Sequence, residues 1–317
     1  MSVSRNAIYR TCLAWAENIV LIFLISLAFY TTLPLQTTQT LFVPQGSIGS
    51  IISQLTKKGY ELSVIDTYIL RLMGTPKTGW IFIGKNKINR IDFLYKLTSA
   101  KAMIKKVTLI PGETSELFFE ALAKNLKLDK DKLLTYYRDF SSYPEAGIYA
   151  DTYYVPYGIK EKHLMHFLVQ ESEKKYKNIS EKIYGTYNKE QWSKVLIIAS
   201  IIQKEAADNK EMPLVSSVIY NRLKKGMRLQ MDGTLNYGKY SHIKVTPERI
   251  KNDLTSFNTY KHKGLPQSPI GSVSFSAIRA AIKPAKTNYL YFMKNKKGVH
   301  DFSTTFKKHR SNIRKAR

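Results

Sequence analysis

The chain has 317 residues, 44% of them hydrophobic, enough for two domains of ordinary size with a sizeable core, which excludes wholesale disorder. Its 50 Lys+Arg against 24 Asp+Glu give a net charge of +26, spread along the chain, which suits an anionic partner: nucleic acid, a lipid surface or an acidic cell-wall polymer. A single cysteine, Cys12, excludes an internal disulfide and a multi-cysteine zinc site.

No charged residue occurs between Glu17 and Lys57, and within that gap Ile19 to Leu33 is strongly apolar. Extended back to Leu13, the stretch is about 21 residues, the length of a bilayer-spanning helix. Arg5 and Arg10 precede it and predict a cytoplasmic N-terminus. The following Pro34-Leu35-Gln36-Thr37-Thr38 lacks the small-x-small pattern of a cleaved signal, so an uncleaved anchor is expected over 1–35, with the bulk of the chain outside an inner membrane. That placement argues against nucleic acid as partner, and no nucleic-acid-reading motif is present.

Residues 36–106 read as a small α+β module. Thr40 to Val43 is a strand, Ser47 a helix N-cap, and Ile48, Ile51, Ile52 and Leu55 the buried face of a helix ended by Gly59. A second helix is expected over Thr67 to Met73, a strand at Trp80 to Gly84, and a third helix over Arg90 to Thr98. A mixed α/β domain over 107–317 follows. It opens with a strand at Val107 to Ile110 and a helix capped by Thr114 or Ser115. Helices are expected over Lys189 to Glu205, Pro213 to Lys225 and near Phe275 to Ile282, with a strand at Tyr289 to Phe292. The stretch 227–275, rich in Gly, Pro, Asn and Ser, is a long loop region of the kind that carries function. His163 and His166 can share a helix face, but no third ligand accompanies them, so no metal site is expected.

The uncharged run Val195 to Ile202 ends in Gln203-Lys204-Glu205. On a helix, Glu205 shares a face with Ile198, Ile201 and Ile202. Locally this pattern reads either as a solvated helix end or as a carboxyl at the rim of the core. In the second case burial raises its pKa and fits it to protonate a leaving group.

Special residues cluster after Glu205: Asn221-Arg222-Leu223, the run Gly226 to Thr234, Asn258-Thr259-Tyr260, Gly264-Leu265-Pro266, Pro284-Ala285, Tyr289 to Phe292 and Gly298 to Phe302. With Glu145 to Tyr153, this series resembles the MltG (YceG-like) family of membrane-anchored endolytic murein transglycosylases. The resemblance covers nearly the whole chain, including a LysM-like module before the catalytic domain. The chain departs from the pattern at Gln203, where the family often has Glu; at Ala146, where it has Gly; at Ala150 and Gly233, where it has Pro; and at Lys308, where it has Glu.

The resemblance implies cleavage of the bond from N-acetylmuramic acid to N-acetylglucosamine, leaving a 1,6-anhydro end on nascent peptidoglycan strands, with peptidoglycan synthases as possible partners. It assigns the proton transfer to Glu205 and requires no cofactor. Asp232 is expected either to position substrate, to stabilise an oxocarbenium-like state, or to hold loop backbone. Gln230, Asn258 and Tyr260 suit N-acetyl and hydroxyl groups, or else scaffold the loops. Arg222 is expected to pair with a core carboxylate or with a peptide-stem carboxylate. The competing function is a membrane-anchored protein that binds peptidoglycan without cutting it.

Overall fold

The computed structural model describes residues 5–100 and 103–316. Residues 1–4 of the expected anchor segment, 101–102 of the module and Arg317 of the basic tail lie outside them, as does the side chain of Arg5. The protein is a mixed helix and strand structure, as expected, in two compact units: 1–105 with 156–158, and 106–155 with 159–317.

The first unit opens with α1 (Arg5–Thr32), whose segment Cys12–Thr32 is long and apolar enough to cross a bilayer and is exposed over most of its length. Strand β1 (Pro34–Gln36) pairs antiparallel with β4 (Lys87–Asn89), and β2 (Thr40–Val43) with β3 (Gly79–Phe82). Between β2 and β3 run α2 (Ile48–Lys57) and α3 (Val64–Met73), and α4 (Arg90–Ser99) follows β4. Ser47 caps α2 as expected. Helix α3 starts three residues earlier than expected, because Ser63 and Asp66 form a reciprocal capping box that fixes its first turn. Leu35, Leu41, Leu55, Leu70, Ile81 and Phe93 form the core.

One polar cluster ties α1 to this core. The buried Arg90 guanidinium donates to Asp66 Oδ2 (2.7 Å), to the Tyr30 hydroxyl (2.9 Å) and to the Glu61 carbonyl (2.9 Å). Its charged plane lies 4.4 Å from the Tyr30 ring centroid. Tyr30 in turn donates to Asp66 (3.0 Å) and meets Ser63 Oγ (2.7 Å), and the Arg90 backbone N–H donates to the Leu33 carbonyl (3.0 Å).

In the second unit, β5 (Ile104–Thr108), whose Lys106, Val107 and Thr108 belong here, pairs with β6 (Thr152–Pro156). The strand ends short of the expected Ile110, which is exposed at the turn before Pro111. Helices α5 (Ser115–Leu126), α6 (Lys130–Phe140) and α7 (Glu161–Tyr184) pack on that ladder around Phe119, Leu133, Val155 and Leu168. A second core is built on α8 (Lys189–Glu205), flanked by α9 (Met212–Lys224) and α11 (Phe275–Ile282), with the short α10 (Pro247–Asn252) in the connecting loops. Every residue of α8 from Val195 to Ile202 is buried, so it is an apolar rod surrounded on all sides. The chain closes with the hairpin β7 (Tyr291–Lys294) and β8 (His300–Ser303) and with α12 (Phe306–Ala316).

Removing one partner of a buried ion pair costs about 3–5 kcal/mol, because the other charge is left stranded. Asp66→Ala is therefore expected to speed amide exchange in α3 and α4 roughly a hundredfold in the detergent-solubilised chain. Replacing Asp66 and Arg90 together by Leu and Met is expected to recover part of the protection, both read by hydrogen-exchange mass spectrometry.

Candidate active site

Glu205 is the last residue of α8, and the apolar rod behind it sets its surroundings. Its side chain is partly exposed, toward a cleft of about 400 Å³. The floor and one wall come from Glu205, Arg222, Leu229, Gln230, Asp232 and Tyr260. The opposite wall is Tyr291, Phe292, Lys294 and His300 from the hairpin, with Phe306 and His309 from α12.

The loop after α9 reaches Glu205 because it is pinned to Thr259. Gln230 N–H donates to the Thr259 carbonyl (3.1 Å), Met231 N–H to Thr259 Oγ1 (3.1 Å), and Thr234 Oγ1 to the Met231 carbonyl (2.7 Å). This places the single turn of 3₁₀ helix at 232–235 against the end of α8. Gly233 N–H then donates to Glu205 Oε1 at 2.6 Å. A methyl on Gly233 would lie 2.8 Å from that oxygen and 3.0 Å from Lys204 Cβ, so a side chain here would push the Glu205 carboxyl aside. Proline, expected here from the resemblance, has no N–H to give.

Four influences set the Glu205 carboxyl. Burial raises its pKa and dominates; the Gly233 N–H lowers it, the Asp232 charge raises it, and the Arg222 charge lowers it. The outcome is a carboxyl pushed up from 4.5 to about 7. It therefore holds its proton over much of the range in which an ordinary glutamate has lost it.

Of the other expected site residues, Gln230, Asp232, Tyr260 and Arg222 reach the cleft and Asn258 does not. The Tyr260 hydroxyl donates to Asp232 Oδ1 at 2.5 Å, and that pairing, with burial, raises the Tyr260 pKa. Asp232 is exposed in the cleft. Gln230 is exposed, with its backbone in the left-handed region at φ 49°, a conformation that costs a non-glycine residue about 1–2 kcal/mol. Asn258 is fully buried, and its amide donates to the carbonyls of Ile250 and Asp253 (both 2.8 Å), so it scaffolds the loop.

Among the described residues Arg222 pairs with no carboxylate. Its guanidinium donates to the carbonyls of Leu290 (2.6 Å), Leu229 (2.5 Å) and Arg228 (3.3 Å), stitching the loop after α9 to the hairpin under the cleft. Gln203, the chain's substitute for a second glutamate, accepts from Ser274 N–H (3.2 Å) and fixes the start of α11. Ala146, where the resemblance expects Gly, takes the left-handed φ of 59° that favours glycine.

Sequence reasoning missed the α12 wall. His309 stacks on Tyr291 (5.2 Å, 22°), its buried Nδ1 has no partner among the described residues, and burial together with Arg222 lowers its pKa. The spacing of Phe306, His309 and Ile313 gives one helix face, a sparse signal among the lysines and arginines of this segment. His300 also borders the cleft, held by Glu211 through Nδ1 (2.6 Å) and its backbone N–H (2.7 Å). Among the described residues no cluster of His, Cys, Asp and Glu suits a metal.

A family model described as the YceG-like family matches residues 41–315. An endolytic murein transglycosylase of Bacillus subtilis is 40% identical over 123 residues, 38% of this chain and 34% of that protein. Its namesake in Streptococcus pneumoniae serotype 2 is 32% identical over 145 residues, 43% of this chain and 26% of that protein. The match thus spans about a third or less of these curated relatives. The crystal structure of a yceG-like protein from Listeria monocytogenes superposes with a TM-score of 0.57 at 26% identity, covering 86% of this chain and 97% of that one.

Two measurements test the electrostatics. A carbon-13 carboxyl titration is expected to place Glu205 near 7, and Asp232→Asn to lower the midpoint by removing a like charge. Since Glu205 binds its proton more tightly folded than unfolded, folding stability falls as pH rises from about 4.5 through about 7. At full ionisation the loss is up to about 3 kcal/mol. Glu205→Gln is expected to abolish that component, seen as a flatter plot of denaturation midpoint against pH.

Proposed function

The chain belongs to the YceG-like family, and on that premise we propose that it is an endolytic transglycosylase that cuts peptidoglycan glycan strands, with Glu205 moving the proton. The observation that carries this reading is a carboxyl at the end of a buried helix, opening onto a cleft, whose pKa burial pushes up to about 7. A group poised near the working pH serves as acid in one step and base in the next.

Gly233 N–H occupies Glu205 Oε1, which leaves the other oxygen to carry the proton. Glu205 gives it to the glycosidic oxygen as the bond from the anomeric carbon of N-acetylmuramic acid breaks, and the N-acetylglucosamine side leaves as an alcohol. The C6 hydroxyl of the same muramic acid then bonds to the anomeric carbon and returns its proton to Glu205. No water is consumed, and the product ends in a 1,6-anhydro ring. Most glycosidases use a second carboxylate to attack or to activate water. Here the attacking hydroxyl is tethered in the substrate, and tethering supplies the effective concentration. Asp232, oriented by Tyr260, faces the positive charge that develops at the anomeric carbon and keeps the Glu205 proton in place between turnovers. Tyr291, Phe292 and Phe306 offer apolar surface to sugar faces, and Lys294 offers a cation to stem carboxylates.

Helix α1 serves as a single-pass anchor in the inner membrane, with the N-terminus cytoplasmic and the remainder periplasmic. Tethering keeps the enzyme among newly made strands and near the synthases that extend them, which suits ending strand growth.

The test is mass spectrometry of uncrosslinked glycan strands incubated with the detergent-solubilised chain. Anhydro-ended fragments are expected, cut within the strands, and Glu205→Gln is expected to reduce them by at least about a thousandfold. Reducing ends would instead identify a hydrolase, and activity persisting in Glu205→Gln would refute the assignment. The rate of bond cleavage is expected to fall as pH rises through about 7, where the acid loses its proton.

A further inference from the structure

Helix α3 is apolar on two opposite sides. One side, with Leu70, joins the core of the first unit. The other carries Val64, Ile65, Tyr68, Arg71 and Leu72, spaced as one continuous stripe of a helix. In that stripe Val64, Ile65, Tyr68 and Leu72 are 71%, 46%, 59% and 90% exposed. Single exposed apolar residues are ordinary; four in one stripe on a ten-residue helix mark a surface that something covers.

The cover is indicated by what α3 is attached to. Its N-cap, Ser63, meets the Tyr30 hydroxyl at 2.7 Å, and Asp66 in its first turn accepts from the same hydroxyl at 3.0 Å. Tyr30 lies in the last turn of the Cys12–Thr32 segment, the depth at which tyrosines mark the rim of a bilayer. The first turn of α3 is therefore held at the level where the apolar span ends. From Val64 to Leu72 the helix rises about 12 Å, against a polar layer of about 5–8 Å on each side of the hydrocarbon. Arg71 lies over the Tyr68 ring at 5.4 Å, so both residues offer apolar bodies with polar tips, the chemistry of the headgroup region.

We infer that the exposed stripe of α3 lies in the headgroup layer of the bilayer beside α1, with Ile65 and Leu72 immersed and Arg71 meeting lipid phosphate. The inference rests on reading α1 as a membrane span. A glycan is the competing occupant. It would fit the groove between α2 and α3, where Ser53, Thr56 and Thr67 join Val64, Tyr68 and Arg71 of the stripe; Ile65 and Leu72, the residues assigned to the bilayer, lie outside that groove.

The test uses the full chain with Cys12→Ser, reconstituted into bilayers of neutral and anionic phospholipid bearing a shallow nitroxide. A polarity-sensitive fluorophore is placed on a single new cysteine at Ile65, Leu72, Phe29 or Lys85. Phe29 reports the span. Lys85 is exposed beyond the far end of the β1–β4 ladder, which runs from Pro34 paired with Asn89 to Gln36 paired with Lys87. Labels at Ile65, Leu72 and Phe29 are expected to lose emission about twofold or more to the nitroxide, and the label at Lys85 to keep nearly all of it. Loss at Phe29 without loss at Ile65 and Leu72 overturns the inference and leaves the span standing. No loss at Phe29 overturns the span and the inference with it. Shielding of the Leu72 label by soluble glycan strands, without quenching from lipid, assigns the face to glycan and also overturns it.

Discussion

The second unit depends on the burial of one helix. Eight consecutive residues of α8, Val195 to Ile202, contact protein on every side, so α9, α11 and the loops between them are arranged around a rod with no face to spare for water. A helix built this way brings whatever follows it to the edge of a low-dielectric region. Glu205 follows it. The pKa of its carboxyl is thus set by the burial at the end of this packed helix more than by any one hydrogen bond or charge that touches it.

Three glutamates in this unit show how environment decides the role of one side chain. Glu145 is desolvated like Glu205, and burial raises its pKa, but it is satisfied by the N–H (2.9 Å) and hydroxyl (2.5 Å) of Ser115, which tie its loop to α5. Glu211 is also partly desolvated. Burial pushes it up, yet the combined contacts of His300 and the Ala207 N–H hold its pKa below 4.5, so it stays charged and braces the hairpin. Only Glu205 combines desolvation with an opening and with a single backbone donor. The distinction lies in how many donors reach each carboxyl.

The sequence made legible what local pattern controls. Helix α8 shows its uncharged run, α2 its Ser47 cap and apolar face, and α11 its bounds at 275–282. The three-residue strands β1 and β4 carry no period long enough to read, and α6 and α7 are charged along much of their length, so their buried stripes are thin. Helix geometry set Glu205 beside Ile201 and Ile202 but left it between a solvated helix end and the rim of the core, and the resemblance singled it out. The roles of Arg222 and Asn258 were not, because their partners are main-chain carbonyls, and side-chain identity says nothing about which carbonyls a fold will leave unpaired. The second wall of the cleft was hidden for a related reason: α12 brings His309 to Tyr291 only after the hairpin folds back.

The cluster of Tyr30, Asp66 and Arg90 has a mechanical consequence. A flexible tether would let the first unit swivel freely above the lipid, whereas here the Tyr30 hydroxyl in the last turn of α1 bonds to both members of the buried Asp66–Arg90 pair, and the Leu33 carbonyl just after α1 accepts from the Arg90 N–H. The two move as one piece. A helix whose apolar length exceeds the local hydrocarbon thickness tilts to hide the excess. Were α1 embedded as proposed, this joint would pass that tilt on to the first unit as a change of attitude toward the surface, and bilayer thickness would become a variable to which that unit is geared.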